Sequence, residues 1–228
     1  MPVSSPRILP EWYKIPEISP NNFLIAIKPI FQALKVEIKS RNSKTDDKFM
    51  KTIIMSYYNW SQEDWLKHEH LRNLQKVLEM NMGDFHETLA GYFKGYKNVK
   101  VGHVSGCDVI KEDGTEVWEW KNKENTMNHD AKKSVFKKLN DNASNGKKAY
   151  LVFVNAWTKM KKQDNFEILS GKEAYKMLSG RESFYTDLMD TLQVIFQNYK
   201  TFIELQNALT KKRSLSELMK AMTLADSQ

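Results

Sequence analysis

The chain has 228 residues, 41% of them hydrophobic, which is enough for one ordinary globular domain with a buried core. Its single cysteine excludes a disulfide framework, gives no zinc signature and fits a reducing cytoplasm. A formal net charge of +7 and a pI near 9.2 permit a polyanionic partner, although many basic proteins bind no nucleic acid.

The N-terminal region combines a proline-rich arm with helical patterns. Because proline fixes φ and removes a backbone donor, residues 1–20 are predicted to form an extended arm, partly docked through Trp12 and Tyr13. The arm lacks a continuous apolar segment, so we expect no secretory signal, and no run of the sequence is long enough to span a bilayer. Apolar spacing then predicts helices over 22–39 and 46–58.

Further helices are predicted ahead of the first strands. Ser61 followed by acidic residues is typical of an N-cap, and it starts a helix that is expected to reach about residue 80. The sequence at 81–84 includes a glycine and predicts a break, after which a new helix covers 85–96. The valines within 97–106 predict a short strand or loop.

A β-hairpin is predicted where two β-prone runs, 108–110 and 115–121, flank an Asp-Gly turn. Glycine favours such a turn because it adopts positive φ readily. Side chains alternate between the faces of a strand, so Glu119 and Lys121 share one face and the intervening tryptophans take the other. We therefore expect Asp108 to lie near both Glu119 and Lys121.

Two carboxylates and a lysine at a strand end suit metal-dependent phosphodiester hydrolysis. Carboxylate oxygens are the ligands that Mg²⁺ prefers, and a bound Mg²⁺ can activate and orient a water. A lysine can position that water and offset charge in the transition state. The alternative is an exposed hairpin with solvated charges, because 28% of the residues are charged and the pattern can arise by chance.

The second half of the chain predicts a βαβ unit. A helix over 130–141 leads to the continuously apolar run 149–155, which should form a central strand beside the strand that carries Glu119. Beyond it we expect a basic loop, a short strand, a long helix and a final short helix or tail, over residues 157–165, 166–169, 182–208 and 214–222.

Residues 119–128, with the sequence Glu-Trp-Lys-Asn-Lys-Glu-Asn-Thr-Met-Asn, resemble a known signature. The pattern E-x-K-N-K-x-N-T-M-N is found in a type II restriction endonuclease family of the PD-(D/E)XK superfamily that cuts double-stranded DNA at GGNCC-type sites. Cys107 replaces the proline that usually precedes the superfamily's aspartate. The resemblance covers about residues 81–195.

The resemblance implies an α/β (α+β) fold, in which a central mixed β-sheet with flanking helices forms a restriction-endonuclease-like core behind a helical N-terminal region. The expected division is an N-terminal arm and helical region over 1–80, a catalytic core over 81–200 and a C-terminal helix or tail over 201–228. Together these parts are expected to form one compact domain.

The resemblance also assigns catalytic and metal-binding roles. Asp108, Glu119 and the Trp120 carbonyl would bind Mg²⁺, and Lys121 would position the attacking water. Glu87 follows a Gly-x-Phe-His sequence similar to one that the family carries on a helix, and it would complete the metal site or orient water. A solvated helix carboxylate is the alternative for Glu87.

DNA contacts are expected just beyond the catalytic strand. Lysines would neutralise phosphates, and asparagines could reach base edges or, alternatively, shape the loop through Asx hydrogen bonds. His86 could contact a phosphate or simply pack. The expected DNA-binding residues are Asn122, Lys123, Asn125, Thr126, Asn128, Lys132 and Lys133, with Lys137 and Lys138 as further phosphate contacts.

A palindromic target predicts a homodimer with one catalytic centre for each DNA strand. The resemblance further implies a prokaryotic cytoplasmic enzyme with a companion DNA methyltransferase that is not a stable partner. Three alternatives are a repair or structure-specific nuclease of the same superfamily, a catalytically decayed DNA-binding protein, and a helical interaction protein. Retention of Asp108, Glu119 and Lys121 argues against decay.

Overall fold

A five-stranded mixed β-sheet organises the computed structural model, which describes residues 9–35, 47–99, 102–124, 127–156 and 165–210. The strands lie side by side in chain order, antiparallel from the first to the third and parallel from the third to the fifth. Seven helices of the described chain flank the sheet, which confirms the predicted fold class. The strands are β1 (Tyr96–Asn98), β2 (Val109–Lys111), β3 (Glu116–Lys121), β4 (Lys148–Phe153) and β5 (Glu167–Ser170).

The predicted hairpin forms from β2 and β3. Gly114 adopts a φ of 76°, and Asp113 accepts a hydrogen bond from the backbone nitrogen of Thr115 at 2.9 Å, which closes the turn. Trp118 and Trp120 point into the larger apolar core, whereas Val117 points into a smaller core on the opposite face. The predicted alternation of side chains along β3 is therefore confirmed.

The predicted βαβ unit is also present. Helix α4 (His129–Ser144) connects β3 to β4, and the two strands run parallel. The Asn128 side chain accepts a hydrogen bond from the Ala131 nitrogen at 2.8 Å and so caps the helix. Val135 and Leu139 are buried against the sheet, and their packing determines which face of α4 contacts the strands.

The N-terminal arm docks on the larger core from residue 9 onward. Tyr13, Ile15 and Ile18 are buried there beside helix α1 (Pro20–Lys35), which tolerates Pro29 in its interior. Helix α2 (Lys48–Tyr58) follows with Asp47 as its N-cap. Both helices agree with the predicted order, and residues 1–8 and 36–46 lie outside the described part.

The predicted break at 81–84 is wrong. Helix α3 (Gln62–Ala90) runs unbroken through Gly83, and Ser61 with Asp64 forms its capping box as expected. A single glycine weakens a helix by about 1 kcal/mol, which tertiary contacts can offset. Met82 and Phe85, on either side of Gly83, supply such contacts with the larger core. The boundary drawn after residue 80 therefore falls within one helix, and the domain division stays a prediction.

Residues 171–210 contain three helices where the sequence analysis predicts one. Helix α5 (Gly171–Ser179) was missed, and the expected helix over 182–208 divides into α6 (Phe184–Asn198) and α7 (Phe202–Thr210). The division follows from a capping motif at Thr201, whose hydroxyl accepts from the Glu204 nitrogen while the Glu204 carboxylate accepts from the Thr201 nitrogen. Residues 211–228 lie outside the described part.

Among the helices that the structure describes, none combines the length and the apolar character needed to cross a membrane.

Candidate active site

The hairpin brings Asp108, Glu119 and Lys121 together at one end of β3. The Lys121 ammonium lies 2.7 Å from Glu119 Oε1 and 3.7 Å from Asp108 Oδ2, and it donates a hydrogen bond to the Trp120 carbonyl at 2.9 Å. The Trp120 nitrogen donates to Asp108 Oδ2 at 2.8 Å, which fixes that carboxylate against the strand. The expected cluster of two carboxylates and one lysine is therefore present.

Glu119 is enclosed between two ammonium groups. Its side chain is only 3% exposed, with Lys121 beside one oxygen and Lys138 of α4 at 2.5 Å from the other. Lys138 also donates a hydrogen bond to the Gly106 carbonyl at 2.7 Å. A buried carboxylate needs such compensation, since desolvation strongly disfavours an isolated charge.

Burial and crowded negative charge shift the ionisation of the cluster. Desolvation, followed by the charge of Glu119, raises the pKa of Asp108 to about 6. Desolvation acts to lower the pKa of Lys121, but the charges of Asp108 and Glu119 outweigh it and the net shift is upward. Lys121 therefore stays protonated at neutral pH and is suited to orient a water or to stabilise negative charge.

Glu87 on α3 faces the same cluster. Burial is the largest cause that raises its pKa to about 7, and the charge of Asp108 is the next. Lys121 and Glu119 also influence this carboxyl, so Glu87 shares their electrostatic environment and is more than a freely solvated helix residue. A carboxyl of this kind can exchange a proton near neutral pH or bind a cation.

His86, next to Glu87, is a packing residue. Its ring is buried, its Nδ1 lies 2.7 Å from the Tyr175 hydroxyl, and burial lowers its pKa to about 4. A neutral, buried imidazole is not available to contact a phosphate. Of the two roles that the sequence suggests for His86, phosphate contact and packing, the structure agrees with packing.

The residues present fit a hydrated divalent cation. Glu119 Oε2 is buried, and its one described partner is the Lys138 ammonium at 2.5 Å, so the oxygen retains a lone pair for a ligand. No group of three or more His, Cys, Asp or Glu side chains with metal-binding geometry occurs within the described ranges. Mg²⁺ needs no such group, because it often binds one or two carboxylates and keeps several waters. Asp108, Glu119 and the Trp120 carbonyl are the available donors, with Glu87 nearby.

Several of the residues expected to bind DNA already have protein partners. Asn122 accepts a hydrogen bond from Asn155, Lys123 forms an ion pair with Glu79 at 2.7 Å, and Asn128 caps α4. These contacts agree with the structural interpretation of the two asparagines, but they do not test DNA binding. Lys132 lies over the Phe136 ring, Lys133 is exposed, and Asn125 and Thr126 lie outside the described residues.

The contact that sequence reasoning missed is that of Lys138 with Glu119. Lys138 was expected only to neutralise phosphates. Lys138 lies three residues after the buried Val135 and four residues before the buried Asn142, at the edge of the face of α4 that packs on the sheet. This spacing is the sequence signal that could have predicted the contact.

Comparison with known proteins places these features in a family. Residues 18–201 match the family described as Eco47II restriction endonuclease. The chain is 29% identical to the type II restriction enzyme Sau96I of Staphylococcus aureus, in an alignment that covers 75% of this chain and 78% of that enzyme. It is also 30% identical to the type II restriction enzyme Eco47II of Escherichia coli over 29% of this chain and 27% of that enzyme.

Proposed function

Because the chain belongs to the Eco47II restriction endonuclease family, a family of DNA-cleaving enzymes, we propose that it is a Mg²⁺-dependent type II restriction endonuclease. Its substrate is double-stranded DNA at a short palindrome of the GGNCC type. The observation that carries the proposal is the cluster at the end of β3, where Lys121 lies 2.7 Å from Glu119 and 3.7 Å from Asp108. The signature at 119–128 supports the GGNCC class.

In the proposed reaction, a water attacks phosphorus, the bond to the 3′ oxygen breaks, and the products carry a 5′-phosphate and a 3′-hydroxyl. A divalent cation held by Asp108, Glu119 and the Trp120 carbonyl would lower the pKa of water and screen the phosphate charge. Lys121 orients the water and offsets negative charge that develops on the phosphate oxygens. Glu87, with its pKa of about 7, is suited to accept or hold a proton near the site.

DNA is proposed to lie across the segment that follows β3. Lys123, Lys132 and Lys133 would contact phosphates, which gives affinity without sequence information. Sequence reading would come from the polar side chains in the same segment. These are Asn122, Asn125, Thr126 and Asn128, of which Asn122 and Asn128 would have to exchange the protein contacts that they now make.

The proposed enzyme is a homodimer, because each chain contributes one catalytic cluster and a palindrome presents two equivalent strands. We place it in a prokaryotic cytoplasm, beside a DNA methyltransferase that protects the host's own sites without stable association. The two bacterial restriction enzymes to which the chain is similar support this setting.

Cleavage of long double-stranded DNA, with the ends sequenced, tests the proposal. Discrete fragments that share one short palindrome at every end, formed with Mg²⁺ and abolished by EDTA, are expected. Random ends would instead indicate a repair-type nuclease. Uncut DNA over a range of salt and metal conditions would indicate a catalytically decayed DNA-binding protein.

The Lys121→Ala variant tests the site assignment. Loss of the ammonium should lower the cleavage rate at least about 100-fold, in line with removal of one electrostatic donor. Binding of a cognate duplex, measured by fluorescence anisotropy, should change little because Lys121 is largely enclosed among carboxylates. Cleavage at the wild-type rate would show that the catalytic cluster lies elsewhere.

A further inference from the structure

Lys138 joins three parts of the candidate site. It extends from α4, donates a hydrogen bond to the Gly106 carbonyl at 2.7 Å, and lies 2.5 Å from Glu119 Oε2. Gly106 stands two residues before Asp108, so this one ammonium links the segment leading to one candidate ligand with the side chain of the other.

The buried carboxylate of Glu119 is compensated by two ammonium groups without a metal ion. The ionised carboxylates of Asp108 and Glu119 face the ammonium groups of Lys121 and Lys138. A divalent cation would add two positive charges beside these ammonium groups, and Glu87, when ionised, would offset only one of them. Like charges at such separations repel strongly where the local dielectric constant is low. Displacement of one ammonium relieves that repulsion when a metal ion binds.

The ammonium of Lys138 is easier to displace than that of Lys121. Lys121 contacts Glu119, Asp108 and the Trp120 carbonyl, all within its own hairpin. Lys138 reaches the cluster from a separate helix, and within the cluster its described contact is with Glu119 Oε2 alone. The Lys138 side chain is 26% exposed, about the same as the 24% of Lys121, so the difference between the two lysines lies in their contacts.

We propose that Lys138 is a positioning residue that occupies the Glu119 side of the metal site in the metal-free enzyme and is displaced from Glu119 Oε2 when a divalent cation binds. The inference rests on the proposed Mg²⁺-dependent function. Lys138 keeps the buried carboxylate compensated before metal arrives, and for the same reason it weakens metal binding.

Titration of the full-length protein with Mg²⁺ alone, by calorimetry at constant ionic strength and without DNA, tests this role. Lys138→Gln keeps a donor for the Gly106 carbonyl but removes the charge, so Mg²⁺ should bind about tenfold more tightly. Lys138→Arg keeps the charge and can hold a carboxylate with two parallel hydrogen bonds, so Mg²⁺ should bind more weakly than to the wild type. The expected order of affinity is Gln, then Lys, then Arg.

A stability measurement separates displacement from a merely structural role. In EDTA, Lys138→Gln should melt at a lower temperature than the wild type, because Glu119 keeps only one counter-ion. Saturating Mg²⁺ should narrow that difference, since the cation replaces the lost charge. Lys137→Gln is the matched control, because Lys137 precedes Lys138 on α4 but is 80% exposed and pairs only with Asp141 among the contacts described for it. It should behave as the wild type does in both measurements.

Three results would overturn the proposal: equal or weaker Mg²⁺ binding by Lys138→Gln, tighter binding by Lys138→Arg, or equal changes in the Lys137 control. If Lys138→Gln does not fold, the Lys138→Arg variant alone shows whether a stronger contact with Glu119 weakens Mg²⁺ binding. A wild-type protein that cleaves DNA in EDTA and binds no Mg²⁺ would refute the metal-dependent function as well. Metal binding by the wild type without the predicted order refutes only the role of Lys138.

Discussion

Glu87 is a carboxyl group whose ionisation opposes folding in the metal-free protein. Burial and then the charge of Asp108 raise its pKa from 4.5 to about 7, so the folded chain binds the proton more tightly than the unfolded chain. Its contribution to stability is thus complete below pH 4.5 and is lost as the pH rises through about 7. One pKa unit corresponds to about 1.4 kcal/mol, and because the group is partly exposed we expect a loss of about 1 to 2 kcal/mol.

Replacement of Glu87 by Gln should remove that loss. Urea denaturation in EDTA between pH 5 and 8 should show falling stability for the wild type and a flatter profile for Glu87→Gln. Some dependence below pH 6 should persist in the variant, because Asp108 also has a raised pKa of about 6. Glu63→Gln, on the exposed first turn of α3, is the control. Equal slopes in wild type and Glu87→Gln would show that this carboxyl is solvated.

Residues whose partners are close in sequence were predictable, and those with distant partners were not. Asp108, Glu119 and Lys121 belong to one hairpin, where the turn and the alternation of side chains fix which groups meet. The contact of Lys138 with Glu119 depends on how α4 rotates and packs across β3, which is decided by tertiary contacts of Val135 and Leu139. No local pattern specifies that rotation to within one side chain.

Two glycines of the α3 region test the continuity of this helix, for which the sequence analysis predicted a break at 81–84. Gly83 lies in the helix interior, and a Cβ added there meets nothing within 4 Å. Gly83→Ala should therefore stabilise the protein by about 0.5 to 1 kcal/mol, because alanine restricts the unfolded chain and favours the helix. If 81–84 were a break, alanine would bring no such gain. Thermal or urea denaturation of purified protein measures the difference.

Gly91, the C-cap of α3, should respond in the opposite direction. A Cβ there would lie 2.2 Å from the Asn98 nitrogen of β1, so the strand or the helix end must move. We expect Gly91→Ala to destabilise the protein by about 1 to 3 kcal/mol. Opposite stability changes in Gly83→Ala and Gly91→Ala would separate the effect of helix propensity from that of close packing. If Gly91→Ala leaves stability unchanged, β1 packs less tightly against the end of α3 than the structure indicates.

Elements with strong local signals were predicted well. The Asp-Gly turn specified the hairpin, and the continuously apolar run at 149–155 specified a buried central strand. The errors lie where one local signal was overridden or overlooked. Packing of Met82 and Phe85 overrides Gly83 in α3, whereas the capping motif at Thr201 ends one helix and begins another inside a continuous apolar pattern.

At the scale of the whole molecule, the prediction of a homodimer needs a contact surface, and α2 offers one. None of its 11 residues is buried, and its exposed apolar side chains range from 52% to 84% exposed. These side chains, which we call the α2 face, are Phe49, Met50, Ile53, Tyr57 and Tyr58. Its three aromatic side chains would bury on the order of 400 Å². That is about half of the roughly 800 Å² per partner in a stable interface, so a second copy is a fitting occupant.

Ile53→Arg tests that assignment, because a charge at the centre of an apolar two-fold contact meets its own copy across the axis. Light scattering coupled to size exclusion should give twice the chain mass of 26.7 kDa for the wild type and a single chain mass for the variant. Thr52→Arg adds the same charge beside the α2 face and should leave the dimer intact. Each monomer of Ile53→Arg keeps one copy of the proposed catalytic cluster, so double-strand cuts should give way to slow nicking. If Ile53→Arg is still a dimer, the α2 face is not the dimer interface. A monomeric wild type that cuts both strands would refute the homodimer.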